Sequence, residues 1–485
     1  MAERGRVGRG EMLLVFALAV AWALLVRPGP LSLPYFWDEG DVYAPGARWL
    51  AMHGFDATPG HFPDDWSRGH PPLLYLLVAL AFRAFGTGPA VGHAVMVPFT
   101  ALALAATYVL GAERGSRAVG IFAVALLGTT PLFMSMGAQV LPEMPLTALT
   151  VVALVLFSRG NVIGAAIVGI ALVWIKETGV FTPLAICCAV SFDAWRTKRL
   201  RSALPHLASS LSPLIALAAF FVWQRATAGY FVFPHHVGLL TARPFVPLDL
   251  LTVFSSLFLW HGRWVATVAA LASVCFLATQ KKRVGVDPTI LALLFLVLWN
   301  AVFFSKMFWL ERYALPAHPG ICVLVAALIF EAGSLGSRRW LAAAPIAIAA
   351  ALGILSLHAP TDGAPEQTFG YADVVASHRE AIARVEALGG DPLVVTTWPL
   401  TTELHEPWLG FAHRPTRAVH PDYLELHPST RPDIALIDGG SSHRGELREM
   451  ARRVGLSRSL TLSFPHTPSL EVWVRPGVGL GEDRD

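Results

Sequence analysis

The stretch Tyr35-Phe36-Trp37-Asp38-Glu39-Gly40-Asp41-Val42-Tyr43 sets two adjacent carboxylates among aromatic residues, directly after the apolar segment Met12 to Val26. A carboxylate at bilayer depth costs about 2.5–3.5 kcal/mol on insertion scales, so one placed at the mouth of a membrane segment faces water or a partner. The flanking rings suit an interfacial belt at headgroup level. Asp38 and Glu39 are therefore candidate catalytic residues, and a positioned carboxylate is suited to accepting a proton from a reacting hydroxyl. Cations for an anionic group could come from Lys176 and Arg312, far downstream. Arginine engages phosphate bidentately, and charge-assisted bonds are the strong ones.

The composition says where such a site resides. The chain has 485 residues, 54% hydrophobic and 15% charged. Soluble domains carry about 25% charged residues, so this is a membrane composition. A formal net charge of +3 is too small to indicate a nucleic-acid partner. The four cysteines (Cys187, Cys188, Cys275, Cys322) lie inside apolar segments and form neither a disulfide framework nor a metal-site spacing. Arg4, Arg6 and Arg9 before Met12–Val26 suit a signal peptide, but Arg27-Pro28-Gly29-Pro30 follows in place of a small-x-small cleavage site. A retained anchor is the expectation.

Further apolar segments run Ala94–Leu110, Val119–Met134, Met144–Phe157, Val162–Ile175, Val180–Phe192, Leu207–Trp223, Trp264–Ala278, Ile290–Phe304, Leu315–Phe330 and Leu341–Leu357. With the first they make about eleven spans, completed by flanking residues. Pro71–Phe85 is ambiguous, and parity decides it. If it lies along the interface, Arg114, Arg117, Arg196-Lys198-Arg199-Arg201, Lys281-Lys282-Arg283 and Arg338-Arg339 all fall inside with the basic N-terminus. Short-loop Lys and Arg set orientation, so Pro71–Phe85 is read as a juxtamembrane helix begun by Pro71-Pro72, and Leu248–Trp260 is left at the interface as well. The outer loops then hold Asp38, Glu39, His70, Glu143, Lys176, Glu177, His235, His236, Glu311 and Arg312. An active site on the outer face is the economical reading.

The first outer loop, about 31–93, carries Asp38-Glu39, Asp64-Asp65-Trp66 and His70-Pro71-Pro72-Leu73-Leu74. An acidic pair after the first span, then His/Lys-Pro-Pro-Leu opening an interfacial helix, resembles the GT-C glycosyltransferases. Within them it is similar to the branch of dolichyl-phosphate-mannose–protein mannosyltransferases and lipid A aminoarabinose transferases. Leu141-Pro142-Glu143-Met144-Pro145-Leu146-Thr147 resembles the family's second outer acidic motif, which more often carries Asp. Lys176-Glu177-Thr178-Gly179 resembles its Lys-Glu-Thr-Gly turn, and Glu311-Arg312-Tyr313-x-x-Pro316 its Arg-Tyr-x-x-Pro segment. The resemblance covers roughly residues 10 to 330, and the order and shared sidedness of the motifs carry it.

The resemblance implies a polyprenyl-phosphate sugar donor, transfer at the outer face of the inner membrane and inversion at the anomeric carbon. A sugar on such a carrier already has a good leaving group, so the site needs a base for the acceptor hydroxyl, worth about 10²–10⁴-fold. Asp38 is that base. Glu39 and Glu143 are grouped with it, Glu143 as a residue to position a sugar. His70, Lys176, Glu177, Arg312 and Tyr313 are the substrate-binding set, and His70 could bond a phosphate or only cap its helix. No cofactor is expected. A divalent ion on Asp38, Glu143 and a nearby His is the alternative, as in oligosaccharyltransferases of the wider superfamily.

Plainer readings stand beside these. Asp38-Glu39 could be a solvated pair, Glu143 a helix-start acid favoured by the macrodipole, Lys176 and Glu177 a mutual pair, and Arg312 the neutraliser of Glu311. His235-His236, in the outer loop of about 224–263, lacks a spaced third ligand and reads as a polar loop.

After Leu357 the pattern becomes that of a small α/β layer. Helices are predicted over Ala372–Leu388, closed by Gly389-Gly390, and over Arg444–Val454. Strands are predicted at Leu393–Thr397, Ile434–Asp438, Leu460–Phe464 and Leu470–Val474. Asp438-Gly439-Gly440 reads as a turn. The fold expected is an all-α polytopic bundle with juxtamembrane helices over 1–357 and an extracytoplasmic α/β domain over 358–485, with the N-terminus cytoplasmic. The function expected is glycosyl transfer to a lipid, polysaccharide or protein acceptor, with membrane lipids as the surroundings. The rival is a transporter or flippase of a lipid-linked precursor, which would want polar residues near mid-membrane and an internal repeat.

Overall fold

In a computed structural model, residues 6–241, 246–281, 286–307, 309–334, 343–359 and 364–477 are described. Lys282, Arg283, Arg338 and Arg339 of the basic clusters lie outside them, as do Leu341 and Ala342 of the last apolar segment.

The apolar runs fold as helices. The first is Arg9–Leu25, and Pro89–Arg114 lies at the centre, packed against Arg9–Leu25, Arg117–Gly128, Glu143–Ser158 and His318–Gly333. Leu200–Ala228 lies at the periphery, with Ile215 and Val222 turned outward. Exposed aliphatic side chains on a long helix are what a lipid environment accepts and water does not.

Among the described residues, four helices have the length and apolarity to cross a membrane: Pro89–Arg114, Glu177–Thr197, Leu200–Ala228 and Glu311–Gly333. Pro247–Phe258 and Arg263–Thr279, bent by 92°, make a fifth if taken as one span. Six more apolar helices among the described residues have 10–17 residues, shorter than the roughly 20 of a full crossing. Leu73–Phe85 starts and stops at one end of the bundle. Near its start Tyr75 Oη donates to Trp66 O (2.7 Å), and just past its end Gly88 O accepts from Tyr35 Oη (3.0 Å).

One predicted segment divides. Val119–Met134 becomes Arg117–Gly128 and Pro131–Met136. Thr129 and Thr130 turn their hydroxyls back onto Ala125 O and Leu127 O (2.7 and 2.8 Å), and Pro131, lacking an N–H, opens the second helix.

In the C-terminal region five strands, β1 (Val394–Val395), β2 (Ala418–Val419), β3 (Ile434–Asp438), β4 (Ser457–Leu462) and β5 (Leu470–Val474), form a sheet in the order β2-β1-β3-β5-β4. The first three are parallel, and β5 is antiparallel to both β3 and β4. Alternation sorts the faces. Ile434 and Leu436 join the core shared with Gly370–Ala387 and the helical bundle, while Ala435 and Ile437 pack with Leu447 and Ala451 of Arg444–Arg453. β3 and β5 match the predicted ranges. The predicted Leu393–Thr397 shortens to two residues, and Leu460–Phe464 shifts to Ser457–Leu462, an exposed edge strand whose apolar signal is weak. Leu400–His405 and Pro421–Leu426 had no clear periodicity and were not predicted.

Candidate functional site

The loop carrying Asp38 is anchored on both sides. Tyr35 and Phe36 are buried, and Tyr35 N–H donates to Leu409 O (2.9 Å). The Tyr35 ring lies so close to the helix at residue 92 that a Cβ there would sit 2.3 Å from its hydroxyl, which is why Gly92 is glycine. Trp37 takes φ = +55°, a backbone choice costing about 1–3 kcal/mol for a bulky residue. Its ring packs on Trp398 (4.4 Å) and Phe36 (5.5 Å), and that packing holds the bend. A π-type turn over Glu39–Tyr43 follows, a feature frequent at functional sites.

Asp38 and Glu39 part company. The Glu39 carboxylate, 1% exposed, accepts from Phe36 N–H (3.0 Å) and Val140 N–H (2.6 Å) and meets His93 Nε2 at 3.2 Å. It is a pin beneath the loop, turned away from Asp38. Asp38 instead pairs with Arg312. The aspartate side chain keeps 24% of its surface exposed and the arginine 3%, so the carboxylate is the side of the pair a reactant can reach.

Arg312 is held from behind. Its N–H donates to Gln367 Oε1 (2.9 Å), and its Nη1 lies 3.6 Å from Glu366 Oε1. Its Nε and Nη1 are buried with no hydrogen-bond partner. Tyr313 presents its ring to Arg312 (5.5 Å) and to Lys176 (5.0 Å). Lys176 Nζ reaches Glu143 Oε1 at 3.4 Å, while Glu143 Oε2 is buried and unpartnered. Asp38, Glu143, Lys176, Arg312 and Tyr313 thus converge from four distant stretches.

The plainer pairings do not occur. Glu311 pairs with Arg263 (2.5 Å) and His261 (3.4 Å), leaving Arg312 to Asp38. Lys176 is extended (φ −161°, ψ 146°), so it and Glu177 diverge: Lys176 turns to Glu143 and Glu177 to His70 Nδ1 (2.9 Å). Gly179 closes that turn because a Cβ would lie 2.4 Å from Leu172 O. His70 and Glu177 pair with each other, and His236 joins them, its ring 5.0 Å from that of His70.

Charge distribution sets the protonation states. Burial pushes the Asp38 carboxyl up, but Arg312, Arg68 and Lys176 together outweigh it and hold it below the ordinary carboxylate range. Glu366 is pushed up to about 7 by burial, with Arg312 opposing and Asp38 and Glu143 adding to the rise. Asp38 is an anion at neutral pH, whereas Glu366 titrates there.

Sequence reasoning missed Glu366, Gln367, Asp41, Arg68 and His93. Glu366 and Gln367 reach the site because Ser135 Oγ and Gln139 Nε2 donate to Glu366 O (2.6 and 2.8 Å). No local pattern near residue 366 announces this. Asp41, in the stretch already singled out, pairs with Arg68 (3.0 Å) and offered the better signal.

A cavity of about 400 Å³ lies at the opposite end of the bundle beside Arg114, Asp193, Arg199 and Asp287. Size does not mark this site; buried, partly unpartnered charge does.

No protein-family model matches the chain, and no curated protein matches it by sequence. Solved structures do match. ArnT from Cupriavidus metallidurans bound to undecaprenyl phosphate superposes with a TM-score of 0.58 at 13% identity, over 96% of this chain and 98% of that one. Its apo form gives 0.59 over the same shares. The chain has the GT-C fold. AglB of Archaeoglobus fulgidus, in complex with an inhibitory peptide and a dolichol-phosphate, also matches, with a TM-score of 0.49 at 15% identity over 95% of this chain and 74% of that one.

A divalent ion needs free donors that converge on one point. Asp38 is taken by Arg312 and Glu143 by Lys176, so these carboxylates do not fit a shared ion. His70, Glu177 and His236 fit better, with ligand atoms within 4.8 Å of one another. Two imidazoles and a carboxylate suit a zinc-like ion. His236 is pushed down to about 4, by burial first and then by His70, which keeps it neutral and able to ligate. The sequence offered His235-His236 no third ligand; the fold brings His70 and Glu177 to His236.

Proposed function

We propose that the chain is an integral-membrane glycosyltransferase that moves a sugar from a polyprenyl phosphate to an acceptor hydroxyl with inversion. The observation that carries this reading is the Asp38–Arg312 pair, in which a reachable carboxylate is held by a guanidinium that keeps two buried donors unpartnered. Unpartnered buried N–H groups are costly, and an entering phosphate satisfies them. The fold shared with ArnT, described with undecaprenyl phosphate, supports the choice of donor.

In this mechanism the acceptor oxygen attacks the anomeric carbon as the bond to the phosphate oxygen breaks. The acceptor proton passes to Asp38, and the phosphate leaves with the bonding electron pair. Arg312 shares its charge with the leaving phosphate, which relaxes its hold on Asp38 and makes that carboxylate more basic as the reaction proceeds. Lys176 adds positive charge, Glu143 orients Lys176 or a sugar hydroxyl, and Tyr313 keeps the two cations apart. Glu39 positions the loop, and His70, paired with Glu177, helps to hold the carrier.

The 1–357 bundle is the catalytic unit in the inner membrane, with its N-terminus cytoplasmic, and 358–485 stands outside with the site. The acceptor is a lipid, polysaccharide or protein. Transport is disfavoured because the clustered charges sit at helix ends: Glu143 begins its helix, Lys176 follows one, and Arg312 precedes another. The test is transfer of radiolabelled sugar from a polyprenyl-phosphate donor by purified protein, with the anomeric configuration of the product read by NMR. Turnover by Asp38→Asn equal to that of the native protein, or a retained configuration, sinks the reading.

A further inference from the structure

Beside the Asp38 loop lies a cleft of about 260 Å³ between the first outer stretch and the C-terminal region. Its walls include Trp49, Trp66 and Trp408, with Asp41, Arg48 and Glu406 among them. We infer that this cleft binds one sugar ring of the acceptor, so that the C-terminal region takes part in acceptor choice. The inference rests on the transferase reading above.

Three features support it. The volume lies just under the about 300–1,000 Å³ of sites for drug-sized ligands, so one ring fits and a lipid headgroup with its chains does not. The half-buried Trp66 indole offers its apolar surface to the C–H face of a sugar, with Trp49, stacked on His53 (4.2 Å), and Trp408, beneath Arg48, as the flanking walls, while two carboxylates and a guanidinium provide acceptors and donors for its hydroxyls.

The polar groups are also fixed in advance. Trp408 Nε1 donates to Glu406 Oε2 (2.8 Å), Arg48 lies over the Trp408 ring (4.8 Å), and Arg48 approaches Glu406 at 3.6 Å. A preformed site loses less freedom on binding. The only guanidinium among its lining residues is already engaged by Glu406, so a phosphate or other anion is poorly served here.

Position supplies the third support. Asp41 is three residues from Asp38, its carboxylate is bonded to Arg68 (3.0 Å) and to the Trp398 side chain, and Trp398 packs on Trp37. The cleft and the carboxylate proposed as base therefore share one loop.

The experiment titrates purified full-length protein with free hexoses, pentoses and N-acetylhexosamines, one at a time. Intrinsic tryptophan fluorescence and saturation-transfer NMR report binding. At least one sugar is expected to quench saturably in the native protein. Arg48→Met and Glu406→Gln are expected to bind it about tenfold more weakly, the loss of one charge-assisted hydrogen bond. Both side chains are partly exposed, so the fold should tolerate these changes, and thermal melts check this. Asp38→Asn serves to separate the two ideas: it should abolish transfer and leave sugar binding intact. Absence of a saturable signal with every sugar, or equal binding by both cleft variants, overturns the inference. Neither result touches the role given to Asp38.

Discussion

The two ends of the helical bundle treat their charges differently. At one end Arg117 meets Glu11, with 62% and 24% of the side chains exposed, and Arg196 meets Asp193 three residues away along the same helix. At the other end Arg312 is 3% exposed and draws Asp38 and Glu366 from opposite ends of the chain. Exposed pairs contribute about 0–1 kcal/mol, whereas breaking a buried pair costs about 3–5 kcal/mol because a charge is left stranded. A protein tolerates the second arrangement where the stranded groups have work to do. The contrast supports the proposal that the chemistry lies at the Asp38 end, although a cavity of about 400 Å³ lies at the other.

The comparison breaks most decisively at Asp38. Replacing it with Asn removes the proton acceptor while keeping shape, and transfer should fall about 10²–10⁴-fold. A change under threefold would place the chemistry elsewhere.

Arg312→Met should reduce transfer about 10²–10³-fold, with the polyprenyl-phosphate KM raised, and cost about 3–5 kcal/mol of stability by denaturant unfolding. Arg312→Lys should recover stability better than turnover, since a point charge cannot replace the planar fork.

Glu366→Gln sharpens the contrast through pH. The folded carboxyl titrates near 7 against an ordinary 4.5, so between those values the native state holds more protons than the unfolded one. Stability should therefore fall as pH rises from about 4.5 to about 7 and level off above, and Glu366→Gln should flatten that slope in a series of melting curves. In the native protein the donor KM should rise as Glu366 ionises and competes for Arg312. A KM that is flat with pH in both proteins would deny Glu366 any influence on the site.

The smallest effect belongs to the opposite end. Arg196→Gln should change stability by under about 0.5 kcal/mol and leave transfer rates as they are. A loss of activity there would mean that exposure is a poor guide in this molecule.

Short-range pattern made much of this legible. Val162–Ile175 falls where hydropathy alone sets it, and β3 and β5 are apolar runs of the expected length. Asp38, Glu143, Lys176 and Arg312 were readable because a charge beside an apolar run is expensive and therefore conspicuous. Their partners were not readable. Sequence neighbours such as Glu311-Arg312 and Lys176-Glu177 suggested local pairs, yet each residue turned to a partner 33 or more positions away, or to one on another element. Pairing depends on where helix ends meet and on backbone direction at single residues, which no local pattern records.

The amino-acid order by itself determined a membrane composition and where most of the helices run, and it singled out Asp38, Glu39 and Glu143 as candidates, because burial of apolar surface and the cost of isolated charge are local properties. Only the tertiary structure decided that Glu39 pins the loop, that Glu366 closes on Arg312 from the C-terminal side, and that His236 finds His70 and Glu177. Those contacts join residues tens to hundreds of positions apart, and they exist only once packing has brought the helix ends to one place.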